Sequence, residues 1–262
     1  MNFRNNAVSG RVVAAALFLV LSWFGKASAH YPWIEMEDYA PAGQVALQFK
    51  IGWGHSFPAD DFLGDADLED LFILSTTGEK IAATPKSATE FISRQALAEG
   101  GSLLVAGQRK PGFYTKTIDG GKRQSKKGLD NVVKCSFSTM GMKGIVNVGG
   151  GGKSGVDQVA GHPLEIIPLA NPSHLKVGAI LPIRVLFDGK PLSGEITAVC
   201  HGYADNKEIQ AASISTDLNG RGEIIVSAPG VWLLKAQHEQ PFSQPEECDV
   251  ESYVATLTFA VR

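Results

Sequence analysis

The chain has 262 residues, with 24 Lys and Arg against 27 Asp and Glu, a net charge of −3 and three cysteines. An acidic balance without a polybasic tract is a poor match for phosphate backbones and argues against nucleic acid as a partner. Cys135, Cys200 and Cys248 are too few and too scattered for a disulfide scaffold, although one bridge is permitted in an exported protein.

Residues 1–29 carry Arg4 and Arg11, then the apolar run Val12 to Phe24, then Ala27-Ser28-Ala29. That order is the pattern of a secretory signal peptide, and the run is short against the ~20 residues of a bilayer span. The working chain is therefore expected to begin at His30, in the periplasm, as a soluble protein. Losing Arg4, Arg11 and Lys26 and no acid takes its net charge from −3 to −6.

The next element is a strand. From Gln44, Val45, Leu47, Phe49, Ile51 and Trp53 alternate with polar residues, and His55 continues their phase. Phe72 to Leu74 and Leu103 to Ala106 read as short strands, and Ala88 to Ala98 as a helical segment. Pro111-Gly112 reads as a turn entering the strand Phe113 to Thr117, which Asp119-Gly120-Gly121 closes. Gly149 to Gly152 breaks all periodicity. Strand candidates then recur at Ile180 to Phe187, Gly194 to Cys200, Ala211 to Ser215, Glu223 to Ser227, Trp232 to Gln237 and Val254 to Val261, with Asp188-Gly189 and Asn219-Gly220 as turns. The expected fold is all-β: an N-terminal β domain over 30–148, a Gly-rich linker or loop over 149–160 and a C-terminal antiparallel β-sandwich over 161–262. Cys200 and Cys248 both fall in the second half and form the expected disulfide; three separate buried thiols are the alternative.

Several catalytic motifs fail on spacing. Gly149 to Ser154 resembles a phosphate-binding loop but has Asn147 where the motif needs its first glycine. No Gly-x-Ser-x-Gly elbow, His-Glu-x-x-His or Cys-x-x-Cys occurs, so no enzyme is expected.

The histidines are more informative. His30 at a processed N-terminus offers an α-amine and an imidazole on one residue, a pair suited to Cu(II) or Ni(II). His55 and His238 each end an inward-facing row, Val45 to Trp53 and Trp232 to Ala236, at the rim of a β domain. Glu239, Glu247, Asp249 and Glu251 lie near in sequence to supply oxygen ligands. His174 reads as a surface residue, and Glu165 follows His162 by three positions.

Ala29-His30-Tyr31-Pro32-Trp33, Ile51 to Pro58, Gly161 to Pro168, Asp188 to Gly194, Gly230 to His238 and Glu251 to Phe259 resemble motifs of one uncharacterised exported family. That family carries the label of periplasmic component of an ABC-type cobalt or nickel transport system (NikM-like). The resemblance implies a transthyretin- or immunoglobulin-like second half, and His30, His55, His238 and Glu251 as metal ligands. The resulting expectation is a non-enzymatic periplasmic protein that binds nickel or cobalt and passes it to a membrane transporter. One alternative is a copper-binding protein using the N-terminal histidine. Another is a metal-free module that recognises a glycan or a protein through Tyr31, Trp33 and Trp53.

Overall fold

The computed structural model describes residues 30–43, 46–58, 61–96, 100–150, 153–201 and 210–262; the expected leader lies outside them, as does Val45. The fold is all-β. In chain order the strands are β1 Tyr31–Met36, β2 Gln48–Gly54, β3 Asp61–Leu63, β4 Leu68–Leu74, β5 Lys80–Pro85, β6 Glu90–Ser93, β7 Gly101–Thr117, β8 Gly120–Lys122 and β9 Val132–Val148. They continue with β10 Lys153–Ser154, β11 Leu164–Pro168, β12 Ile180–Phe187, β13 Lys190–Pro191, β14 Glu195–Cys200, β15 Ala212–Ser215, β16 Arg221–Ile225, β17 Gly230–Pro241 and β18 Val250–Val261. Among the described residues, no helix is long and apolar enough to cross a membrane.

One large sheet runs β1-β2-β6-β5-β4-β7-β9-β18-β17-β14-β15, and a smaller one joins β11, β12, β13 and β16. The large sheet curls until β1 lies over its own middle, where Thr256 and Thr258 donate to the carbonyls of Pro32 and Ile34, both at 2.8 Å. This closes a first core of Ile34, Phe49, Ile51, Ile73, Phe91, Leu103, Val105, Met142 and Val146. The opposite face of the same middle strands, through Phe72, Leu74, Leu104, Ala106 and Ile145, packs with Ile166, Leu181, Ile183, Trp232, Leu257 and Phe259 in a second core beneath the smaller sheet. Strands buried on both faces read as unbroken apolar runs. Leu103 to Ala106 is such a run, and all four residues are buried.

The expected linker is woven into this arrangement. Lys153 and Ser154 pair in parallel with Gly101 and Ser102, and Val156 and Ala160 are buried in the second core. Gly149 and Gly150 turn with φ of 68°, and Gly151-Gly152 lie outside the described residues.

Three local expectations are corrected. The expected helix Ala88 to Ala98, of which Leu97 and Ala98 lie outside the described residues, holds the strand β6 at Glu90–Ser93, because Phe91 and Ser93 point inward alternately and Phe91 pairs with Phe49. Pro111-Gly112 is a bulge inside the single strand β7: its register against β9 shifts between Arg109 and Gly112, a place where a residue without an N–H is tolerated. The disulfide is Cys135–Cys248, and Cys200 is a buried free thiol. The parallel pairing of β18 with β9 sets Val250 against Ser136, which carries Cys248 to the first half of the chain.

Candidate functional site

The β1–β2 ladder places Tyr31 opposite Gly54. His30 and His55 are the next residues outward on the two strands, and their rings lie 3.9 Å apart between centroids. His30 also stacks on Trp53 at 5.4 Å, and Trp53 pairs with Asp61 of β3. Both histidines are exposed at the sheet rim. Burial and then His55 push the His30 imidazole below its ordinary value, and Asp61 opposes the shift. A neutral imidazole with an available lone pair is the form that binds metal.

Below the pair lies an aromatic floor of Tyr31, Trp33 and Phe57 with Met140, Leu233 and Val254. The Tyr31 hydroxyl donates to the His55 carbonyl at 3.1 Å, and the Lys235 ammonium sits 4.5 Å from the centre of the Tyr31 ring. Tyr31 and Trp33 are buried, at 5% and 0% exposure, which corrects their reading as exposed recognition residues and leaves Trp53 partly exposed. A buried tryptophan of this size is core.

His238 and Glu251 lie on the other face of the large sheet. Along β17, Trp232, Leu234 and Ala236 enter the second core, whereas Leu233 joins the floor beneath His30. His238 follows the first set and packs on Phe187 at 4.6 Å. Glu251 shares that face, accepting from the Tyr253 hydroxyl at 2.9 Å and the Gln240 amide at 2.7 Å. The four sequence-predicted ligands thus form two pairs with a β-sheet between them. Among the described residues, no group of three or more His, Cys, Asp and Glu side chains is placed to hold a metal ion. With His30 at a free N-terminus, the third donor beside the two imidazoles would be its own α-amine.

The remaining histidines are dispersed. His174 is exposed in a short turn, and His201 meets Phe57 edge-on at 6.3 Å. His162 is buried over Gly141, where a β-carbon would come within 3.0 Å of its Nδ1, and its Nε2 lies 3.4 Å from Asp70. Glu165 accepts from the backbone N–H groups of Ala160, Gly161 and His162 and pairs with Lys143 at 2.8 Å, both side chains being 2% exposed. The spacing from His162 to Glu165 therefore marks a loop anchor.

Sequence reasoning missed Arg109. Its guanidinium carbon lies 5.0 Å from the centre of the Trp53 ring. The bulge at Pro111 marks where β7 departs from its ladder, but nothing in the local sequence links Arg109 to Trp53.

Residues 27–240 match the family model described as a domain of unknown function, DUF4198. No curated protein matches the sequence. Among solved structures, a DUF4785 family protein from Legionella pneumophila has 9% identity and a TM-score of 0.23, with 77% of this chain and 50% of that one covered. The three N-terminal domains of the bacteriophage RB49 outer capsid protein Hoc give 8% identity and a TM-score of 0.21, covering 89% and 59%. Native E. coli alpha-2-macroglobulin gives 10% and 0.21, covering 89% and 14%. The chain spans half the length of the Legionella protein.

Proposed function

The chain belongs to the DUF4198 family, whose function is unknown, and from that premise we propose that it is an exported, periplasmic, non-enzymatic protein that binds a divalent metal ion at His30 and His55. Nickel or cobalt is the cargo suggested by the resemblance to the NikM-like family, with a membrane transporter as the recipient. The observation that carries the reading is the pairing of two exposed imidazoles, 3.9 Å apart, at the ends of adjacent strands. Cleavage after Ala29 would add the α-amine of His30, giving three nitrogen donors from two residues. His238 and Glu251 stand across the sheet and contribute no ligand to this pair in the proposed site.

The nitrogen-only donor set also favours Cu(II), which takes tetragonal nitrogen ligands and stands above nickel and cobalt in intrinsic affinity. The copper reading uses the same atoms and differs only in the ion.

Calorimetric titration tests both. The protein is taken from the periplasmic fraction with its N-terminus verified by mass spectrometry, then titrated with Ni(II), Co(II), Cu(II) and Zn(II). His55→Ala should weaken binding about tenfold or more, equivalent to about 1.4 kcal/mol, and His238→Ala should change it less than twofold. A residue retained before His30 should weaken it comparably to His55→Ala. Unchanged affinity in His55→Ala would sink the proposal, and the preferred ion would separate nickel or cobalt from copper.

A further inference from the structure

His238 and Glu251, which the His30–His55 pair leaves without a role, belong to a separate surface across the large sheet. There Phe187 lies 4.6 Å from His238 and 4.8 Å from Tyr253, and all three rings keep part of their area in solvent. Glu251 accepts from the Tyr253 hydroxyl and the Gln240 amide, and Asp188 is exposed at the end of the strand that carries Phe187. Among the described residues neither Glu251 nor Asp188 has an ion-pair partner. Burial pushes the Tyr253 hydroxyl up to about 12, and Glu251 and then Asp188 push it the same way, so both acids act on one place.

A second feature borders this surface. β18 pairs with β17 along its whole length, Gly230–Pro241, whereas β14 pairs only with residues 232–236. The outer edge of residues 237–241 therefore has no strand beside it among the described residues. An unpaired edge is a template for a further strand, whose main chain supplies affinity and whose alternate side chains supply specificity. Glu239, at the centre of the edge, is held on the opposite face by Lys134 at 3.0 Å. The surface is thus aromatic and anionic, and its sign selects a cationic occupant, since ring faces and carboxylates both attract a guanidinium or an ammonium. A second copy of this chain would set the same carboxylates against one another.

We propose that this surface binds an extended basic segment of a partner protein, which adds as a strand beside residues 237–241. Side chains of a strand alternate between its faces, so a lysine or arginine at every second position lies over His238 and Tyr253 towards Glu251 and Asp188. The inference goes beyond the metal reading and does not depend on it.

The test titrates the protein, with its verified N-terminus, with three short blocked peptides: one alternating arginine and valine, one with glutamate in place of arginine, and the arginine peptide with methylated backbone nitrogens. The arginine peptide should bind about tenfold or more tightly than either of the others. Asp188→Asn and Glu251→Gln should each weaken it about threefold and together about tenfold, and His55→Ala should leave it unchanged. No binding of the arginine peptide, equal binding of the glutamate or methylated peptide, or wild-type affinity in the double variant would each overturn the inference. If Glu251→Gln does not fold, as read by its circular dichroism, Asp188→Asn decides alone, because its exposed turn has a φ of 48° that asparagine also adopts.

Discussion

Replacing Glu165 with leucine should be among the most damaging single changes in this protein, and should cost more than removing its partner Lys143. Both side chains are buried and lie 2.8 Å apart. Removing one member of a buried ion pair costs ~3–5 kcal/mol, because the other charge is left without compensation. Glu165 also takes three backbone N–H groups, and each buried donor left without an acceptor adds ~1–3 kcal/mol. Gly161 is exposed and its N–H can turn to water, so the sum is not reached in full. About 5 kcal/mol is expected for Glu165→Leu, a fall of about 10–20 °C in Tm for a chain of this length. In Lys143→Met the carboxylate keeps its three N–H donors, and about 2–3 kcal/mol is expected. Urea denaturation followed by tryptophan fluorescence, with thermal melts, gives both values. A Lys143→Met variant as unstable as Glu165→Leu would refute the assignment of the carboxylate as the anchor of the 160–162 loop.

The same pair gives a pH dependence. Burial pushes the Glu165 carboxyl up, but Lys143 and the loop N–H groups more than offset it, and the group lies below its ordinary value. Its stabilisation is therefore present above the unfolded carboxyl range and is lost as pH falls through the folded value. Urea midpoints across that range should fall with acid in the wild type and depend less on pH in Glu165→Leu. Removing the Cys135–Cys248 bridge, which spans 113 residues, should cost about 2–5 kcal/mol in Cys248→Ser. Alkylation with mass spectrometry should label one thiol, Cys200, and only after unfolding, because burial raises its pKa and shields it. Gly144→Ala should destabilise by about 1–3 kcal/mol, since a β-carbon there would lie 2.8 Å from Ile34 where β1 crosses β9.

Much of the fold was legible because periodicity is a local signal. The strand Ile180 to Phe187 matches β12 residue for residue, and Asp188-Gly189 turns as expected with φ of 48° and 73°. Leu47, Phe49 and Ile51 are buried in the first core as their alternation indicates. What failed depended on strand order. Phe91 sits among helix-forming residues in the sequence and is fixed in a strand by its cross-strand partner Phe49, and Cys248 is brought to Cys135 by the parallel pairing of β18 and β9, which no local pattern encodes. The site shows the same division. The phase of His55 and the position of His30 at the head of β1 were readable, and the β1–β2 ladder sets them side by side. The phase of His238 was readable too, but a side chain's phase does not say which face of a distant sheet it shares. Arg109 escaped because its neighbour Trp53 sits more than fifty residues away in the chain.

The parallel pairing of β9 with β18 also governs the order in which the molecule can assemble. During synthesis, β9 emerges more than a hundred residues before the strand that covers its open edge. Loop closure over that span is entropically expensive, and long-range β pairing of this kind makes folding slow. Through that interval the nascent chain presents an unpaired strand edge to its surroundings, a standing invitation to other chains. A newly made copy is therefore most vulnerable in the time before β18 is in place, and a chaperone that shields the edge of β9 would serve it in that interval.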